Sequence, residues 1–195
     1  MARIGVLALQ GDVSEHVLAL ERAGQENVQV VKIRKSGQIE ECQALVLPGG
    51  ESTTICLQLE SFGLTEELKA AALSGKPILA TCAGLVLVSQ KVEGDSRSHV
   101  KPLGLMDIKI SRNAFGPQRE SFEADLQIKG LDKPYRAVFI RAPAIAQVGR
   151  NVEVLARVGE AVVAARQKNL LALAFHPELT KDPRIHQIFL KMLEA

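Results

Sequence analysis

The sequence predicts an α/β fold: a three-layer, doubly wound, mostly parallel sheet with helices on both faces and an antiparallel extension in its second half. Three observations predict it. Short apolar runs alternate with amphipathic stretches through the first 90 residues, which is the rhythm of strand-helix-strand units. Turn residues follow the strand-like runs, as in Pro48-Gly49-Gly50. From about residue 107 the rhythm changes to short strand-like runs separated by turns, with no helical pattern between them.

Taken in order, Arg3–Leu9 reads as a buried strand. Asp12 reads as the cap of a helix, with Glu15 three residues on as a capping-box variant, and that helix carries Val13, Val17, Leu18 and Leu20 before ending near Ala23-Gly24. Val28–Ile33 and Ala44–Leu47 read as strands, and a helix is expected from about Ser52 to Ser61. A further helix spans Thr65–Leu73 and stops at Gly75, the left-handed position that favours glycine. Lys76–Ala80 reads as a fourth strand and Ala83–Gln90 as helical. In the second half, Asp107–Ile110, Phe122–Leu126, Ala137–Ile140, Glu153–Arg157 and Ala161–Arg166 read as short strands, with Leu170–Phe175 the last buried one. Asp182-Pro183 opens a final helix with apolar Ile185, Ile188, Phe189 and Met192. Gly94–Lys101 reads as the flexible loop.

A length of 195 residues suits one domain, 1–195. With 4% aromatics and no Trp, the core must be built from Val, Ile, Leu and Ala. A net charge of +2 gives no electrostatic footprint for nucleic acid or an anionic membrane. No stretch reaches the ~18 apolar residues of a membrane helix. The apolar run Ile4–Leu9 is followed at once by Gln10 and Asp12, so it reads as a strand rather than a signal peptide, and a cytoplasmic protein is expected. The cysteines number three and include no C-x-x-C pair, so neither a disulfide framework nor a metal site is expected.

Thr81-Cys82-Ala83-Gly84 follows one strand and opens a helix. A tight strand-to-helix turn exposes its central side chain at the carboxyl edge of the sheet, and small neighbours permit the turn. The helix start also favours a thiolate. A buried structural thiol is the competing reading, and it is preferred for Cys42 and Cys56. His176-Pro177-Glu178 follows the last strand, at the same edge. Pro177 favours extended backbone at His176, which would let Glu178 reach one ring nitrogen while the other faces the thiol. The alternative is that His176 is the strand's polar end. His16, His99 and His186 read as surface or packing residues. Pro48-Gly49-Gly50-Glu51-Ser52 can form a nest of N–H groups for a phosphate or for an oxyanion, or can be a plain tight turn. No Gly-Lys-Ser/Thr follows it, so it is not a Walker loop.

Together these residues resemble the triad-type (class I) glutamine amidotransferases. Within them the chain is similar to one family, the glutaminase subunits of pyridoxal 5'-phosphate synthase. The resemblance runs through GVLALQGDVSEH, LPGGEST, TCAG, RNAFGPQRESFEADL, FIRAP and FHPELT, in order along essentially the whole chain. It implies hydrolysis of L-glutamine to L-glutamate and ammonia, with Cys82 as nucleophile and His176 and Glu178 completing the triad. It implies N–H groups of Gly50 and Ala83 at the oxyanion, and glutamine contacts at Gly50, Glu51, Ser52, Arg112, Ile140 and Arg141. Gln10 would lie near both the active site and the synthase contact.

No cofactor or metal is implied. The implied partner is the synthase subunit, in a 12+12 assembly, whose docking completes the oxyanion hole. Chemistry points the same way, since free ammonia protonates and diffuses away. Two departures stand out: Ala144 where relatives often carry histidine, and a longer, more basic Gly94–Lys101. The rivals are an ammonia donor to another synthase, such as that of imidazole glycerol phosphate, a non-catalytic amidotransferase-like interaction protein, and a cysteine hydrolase of related architecture.

Overall fold

The computed structural model describes residues 1–93, 100–112, 114–115 and 121–194. Most of the loop expected at Gly94–Lys101, and much of the RNAFGPQRE segment, lie outside the described residues. Five strands build the core of a large sheet: β1 (Ala2–Leu7), β2 (Val28–Ile33), β3 (Ala44–Leu47), β4 (Ile78–Thr81) and β12 (Leu170–Leu173). They run parallel in the order β2-β1-β3-β4-β12. Every residue of β3, β4 and β12 is buried. A strand buried at all positions must be covered on both faces, which is why these segments read as continuous apolar runs.

The cover comes from two groups of helices. Helix α1 (Val13–Gly24) packs on α5 (Arg184–Lys191), while α2 (Ser52–Ser61) packs on α3 (Leu64–Leu73) and α4 (Ala83–Val88). The buried face of α1 is His16, Ala19 and Leu20. Leu18, expected on that face, is exposed. His16 and His186 are wholly buried, so both are packing residues and neither is a surface one.

The antiparallel extension continues from β12 through β11 (Ala161–Gln167), β9 (Ala144–Val148), β6 (Ile108–Ser111) and β5 (Lys91–Glu93), and β10 (Glu153–Val158) pairs with β11. β5 and β9 are additions to the strands expected from sequence, and β5 runs parallel to β6. A separate hairpin, β7 (Ser121–Leu126) with β8 (Tyr135–Ile140), stacks Phe122 on Phe139 at 4.6 Å between ring centroids. Beyond β12 the chain leaves the sheet core for this hairpin, where His176 N–H donates to Val138 O at 2.9 Å. That bond holds the end of the last strand against β8.

Candidate active site

Parallel pairing sets Thr81 beside Leu173, so the residues that follow β4 and β12 emerge at one edge of the sheet. Cys82 is the turn between β4 and α4. Its φ of 48° is a left-handed value that a side-chain-bearing residue seldom adopts, and such strain gathers at functional sites. The strain is held by Cys82 N–H donating to Leu173 O at 2.8 Å, and by Cys82 O accepting from Val86 N–H. The small neighbour is necessary: a Cβ on Gly84 would run into the carbonyl oxygen of Leu47.

His176 is buried at this edge, with Nδ1 2.7 Å from Glu178 Oε1. The route to that contact differs from expectation. His176 itself is near-extended (φ −107°, ψ 86°), but Pro177–Leu179 form a 3-10 turn, and the turn brings Glu178 back to the ring. A second carboxylate is also present. Asp12 Oδ2 lies 3.2 Å from the same Nδ1. Asp12 makes no side-chain bond to the start of α1, so the expected capping box does not form.

Burial alone would lower the proton affinity of His176. Hydrogen bonding with Asp12, Cys82 and Glu178, together with the charge of Glu178, outweighs it and pushes the imidazole up to about 12. Burial also raises Glu178. For so closely coupled a pair, the consequence is that the shared proton belongs to the ring, and the resting imidazole is cationic. The Cys82 thiol is directed at Ile140 O, 3.9 Å away, and Nε2 of His176 is buried with no aligned hydrogen-bond partner among the described residues. The donor atoms of Asp12, His176 and Glu178 lie within 4.8 Å of one another, a set that could in principle hold a cation. The 2.7 Å separation of Nδ1 and Oε1 is instead that of a strong, charge-assisted hydrogen bond.

A cavity of about 430 Å³ opens over these groups. Of the residues expected from sequence, Cys82, His176, Gly50, Ala83, Glu51, Ser52, Arg112, Ile140 and Arg141 all line it. Glu178 stands behind His176. Gln10 stands behind the glycine turn, where its Oε1 accepts the Glu51 N–H at 2.7 Å. Gly50 has a φ of 151°, and a Cβ there would strike Gln10 Oε1, so only glycine suits the position. The Glu51 carboxylate accepts N–H bonds from Thr53 and Thr54 at the start of α2, with Arg112 Nη2 3.8 Å away. Partial burial would raise the Glu51 carboxyl, but those bonds win and hold it at about 2. Arg141, like Cys82, has a positive φ, 43°.

Asp12, Val86 and Pro143 also line the cavity and were not anticipated. Pro143 belongs to the FIRAP run, which was the available signal for it. Asp12 was hidden by its resemblance to a helix cap. Ala144 is buried in β9 and does not line the cavity.

The family model of the SNO glutamine amidotransferase family matches residues 6–195. A protein of Methanothrix thermoacetophila, pyridoxal 5'-phosphate synthase subunit PdxT, is 57% identical over 98% of this chain and 100% of its own. The subunit of the same name from Halalkalibacterium halodurans is 50% identical over 100% of this chain and 96% of its own. A solved structure of a glutamine amidotransferase superposes with a TM-score of 0.90 at 43% identity, covering 98% of this chain and 99% of that one. PurLQS from Thermotoga maritima, at 17% identity and a TM-score of 0.70, shares the fold. With its cysteine elbow, histidine and glutamate at one sheet edge, and a family match running from residue 6 to the last residue, this chain belongs to the SNO glutamine amidotransferase family.

Proposed function

We propose that this chain is the glutaminase subunit of a pyridoxal 5'-phosphate synthase, a single amidotransferase domain that hydrolyses L-glutamine and passes the ammonia to a synthase subunit. The observation that carries the reading is the strained Cys82 at the same sheet edge as the His176–Glu178 pair, under one cavity. The Cys82 thiolate attacks the side-chain carboxamide carbon of glutamine, and the C–O π electrons move onto oxygen. The N–H groups of Gly50 and Ala83 receive that oxyanion; one such donor contributes on the order of 10²–10³ in turnover. The His176 imidazolium gives its proton to the departing nitrogen, which leaves as ammonia, and a thioester remains. His176, now neutral, takes a proton from water; the hydroxide adds to the thioester carbon, and glutamate leaves as the thiolate is restored. Arg112 and Arg141 supply the positive charge for the substrate's α-carboxylate, while Glu51, Ser52 and Ile140 shape the rest of the cavity.

The relatives that are themselves subunits of a pyridoxal 5'-phosphate synthase support the pairing with a synthase subunit. The 12+12 assembly, the cytoplasmic setting and gating by docking near Gln10 belong to the same proposal. No helix among the described residues is long and apolar enough to cross a membrane. The test is ammonia release from glutamine with and without the synthase subunit. Cys82→Ala should reduce release to background in the complex, and wild-type turnover should rise on adding the synthase subunit. Normal release by Cys82→Ala would exclude the mechanism; equal wild-type turnover with and without the partner would remove the gating.

A further inference from the structure

On the far side of Glu178 from His176, buried polar groups from four elements meet. His16 from α1 and Thr81 at the end of β4 are wholly buried, as are Glu178 in the 3-10 turn and His186 on α5 to within 3%. Glu178 Oε2 has no aligned hydrogen-bond partner among the described residues, although it is fully buried. A buried carboxylate oxygen left so is costly, because it has given up its water without a full replacement. A donor-capable atom of another element lies close to it: His16 Nε2, 3.3 Å away, which also lies 3.0 Å from Thr81 Oγ1. The other ring nitrogen of His16, Nδ1, is 3.4 Å from His186 Nε2, and the two rings meet edge to face at 5.6 Å.

A neutral imidazole has one donor and one acceptor, so the surroundings choose the tautomer. With its proton on Nε2, His16 offers a donor to two oxygens, and its Nδ1 accepts from His186 Nε2–H. With the proton on Nδ1, a ring lone pair would face a carboxylate lone pair. The ring is neutral because burial, then electrostatic coupling to His186 and to the His176 cation, lowers its proton affinity well below the ordinary value. We propose that His16, protonated on Nε2, is a positioning residue for the triad: it donates toward Glu178 Oε2 and ties Thr81, the residue before the nucleophile, to the carboxylate that orients His176. This rests on the Cys82-His176-Glu178 reading above. Without that donor, the buried Glu178 carboxyl takes up a proton more readily and no longer holds the imidazolium in place. Proton transfer suffers while glutamine binding does not.

The test compares two amides of different reach in the complex with the synthase subunit. His16→Asn, too short to reach Glu178, should lower kcat about tenfold to a hundredfold, by analogy with the loss of an outer partner that orients a metal-bound histidine. His16→Gln, whose amide nitrogen reaches the position of Nε2, should recover most of that loss. KM for glutamine should stay at the wild-type value in both. Wild-type turnover in His16→Asn, or equal losses in the two variants, would overturn the proposal. A measurement on the wild-type protein stands independently of how the variants fold: with ¹⁵N-labelled histidine, the His16 ring should read as neutral and protonated on Nε2 near pH 7. The Nδ1–H tautomer or a cationic ring there would also overturn it. Cys82→Ala serves as the control: ammonia release by that variant sinks the triad itself, whereas its silence beside wild-type behaviour of the His16 variants sinks only the positioning role.

Discussion

Two carboxylates flank one ring nitrogen of His176: Glu178 at 2.7 Å and Asp12 at 3.2 Å. A single N–H cannot satisfy both equally, so the shorter contact takes the proton and the longer one acts through its charge. Asp12→Asn keeps the shape and removes that charge. The His176 cation then becomes easier to deprotonate, and the alkaline limb of the turnover profile should move to lower pH. No cap bond is lost, so folding stability at neutral pH should fall only by the lost support of the cation, about 1.4 kcal/mol for each pH unit by which that limb moves. A true cap would leave both the pH profile and the stability in place in Asp12→Asn, because Asn caps as well as Asp, and would lose about 1 kcal/mol only in Asp12→Ala; that pattern in urea titration and kinetics would return Asp12 to the capping role.

The same residue shows where sequence reading stops. Cys82, His176 and Glu178 were legible because each sits at a fixed offset from an apolar strand, and strand direction then brings them together. An acidic residue ahead of an amphipathic run has two meanings, cap or active-site carboxylate, and only tertiary placement decides. His16 was opaque for a similar reason: one turn after Asp12 it continues an amphipathic helix, and nothing local reveals that its partners are Thr81 and Glu178.

At the scale of the element, α2 carries the glycine turn's far end, and its start is fastened by Glu51. The carboxylate accepts Thr53 N–H at 3.0 Å and Thr54 N–H at 2.7 Å, two of the donors that every helix start leaves unpaired. Glu51→Ala should therefore cost about 0.5–2 kcal/mol of stability at neutral pH. The sign with pH follows from a carboxyl lowered from 4.5 to about 2 in the folded chain. Its contribution is full above about 4.5 and is lost as pH falls toward 2. Urea titrations of the two proteins should thus converge across that window; curves that stay apart would mean Glu51 stabilises by packing alone.

Element boundaries were legible where local chemistry sets them. β2, β3 and α2 begin and end at the expected residues, since turn residues or a cap bracket each. β5 and β9 were not, for long-range reasons: Lys91–Glu93 is three residues with two charges, and Ala144–Val148 follows Pro143, yet each is a strand because β6 runs between them. β12 ends at Leu173, earlier than its apolar run: Ala174 N–H still reaches Val163 O of β11, but His176 N–H already bonds to Val138 O of β8.

Across the whole molecule, the interface of α1 with α5 buries His16 and His186 as neutral rings, and the stability of the fold inherits their titration. Burial, with a smaller effect from Arg22, lowers His186 from 6.5 to about 4; His16 is lowered too. Below pH 6.5 the unfolded chain binds protons that the folded chain refuses, so stability falls with pH until the folded form also protonates. For His186 the window runs from about 6.5 down to about 4, and a shift of that size corresponds to about 3 kcal/mol. The triad pulls the other way. Glu178, raised by burial, gains stability as pH falls through its folded value, and His176, raised by its partners, contributes fully below 6.5 and loses that contribution only at alkaline pH. The acid sensitivity of the fold should therefore come from its α1–α5 seam and not from the triad's two groups. His186→Phe retains an aromatic ring against His16 and removes one titrating group. Between pH 7 and pH 4, urea unfolding of the wild type should lose about 3 kcal/mol more than the variant does. Parallel stability curves for the two proteins would show that the seam opens to water before His186 takes its proton, and would move the acid sensitivity of the fold elsewhere.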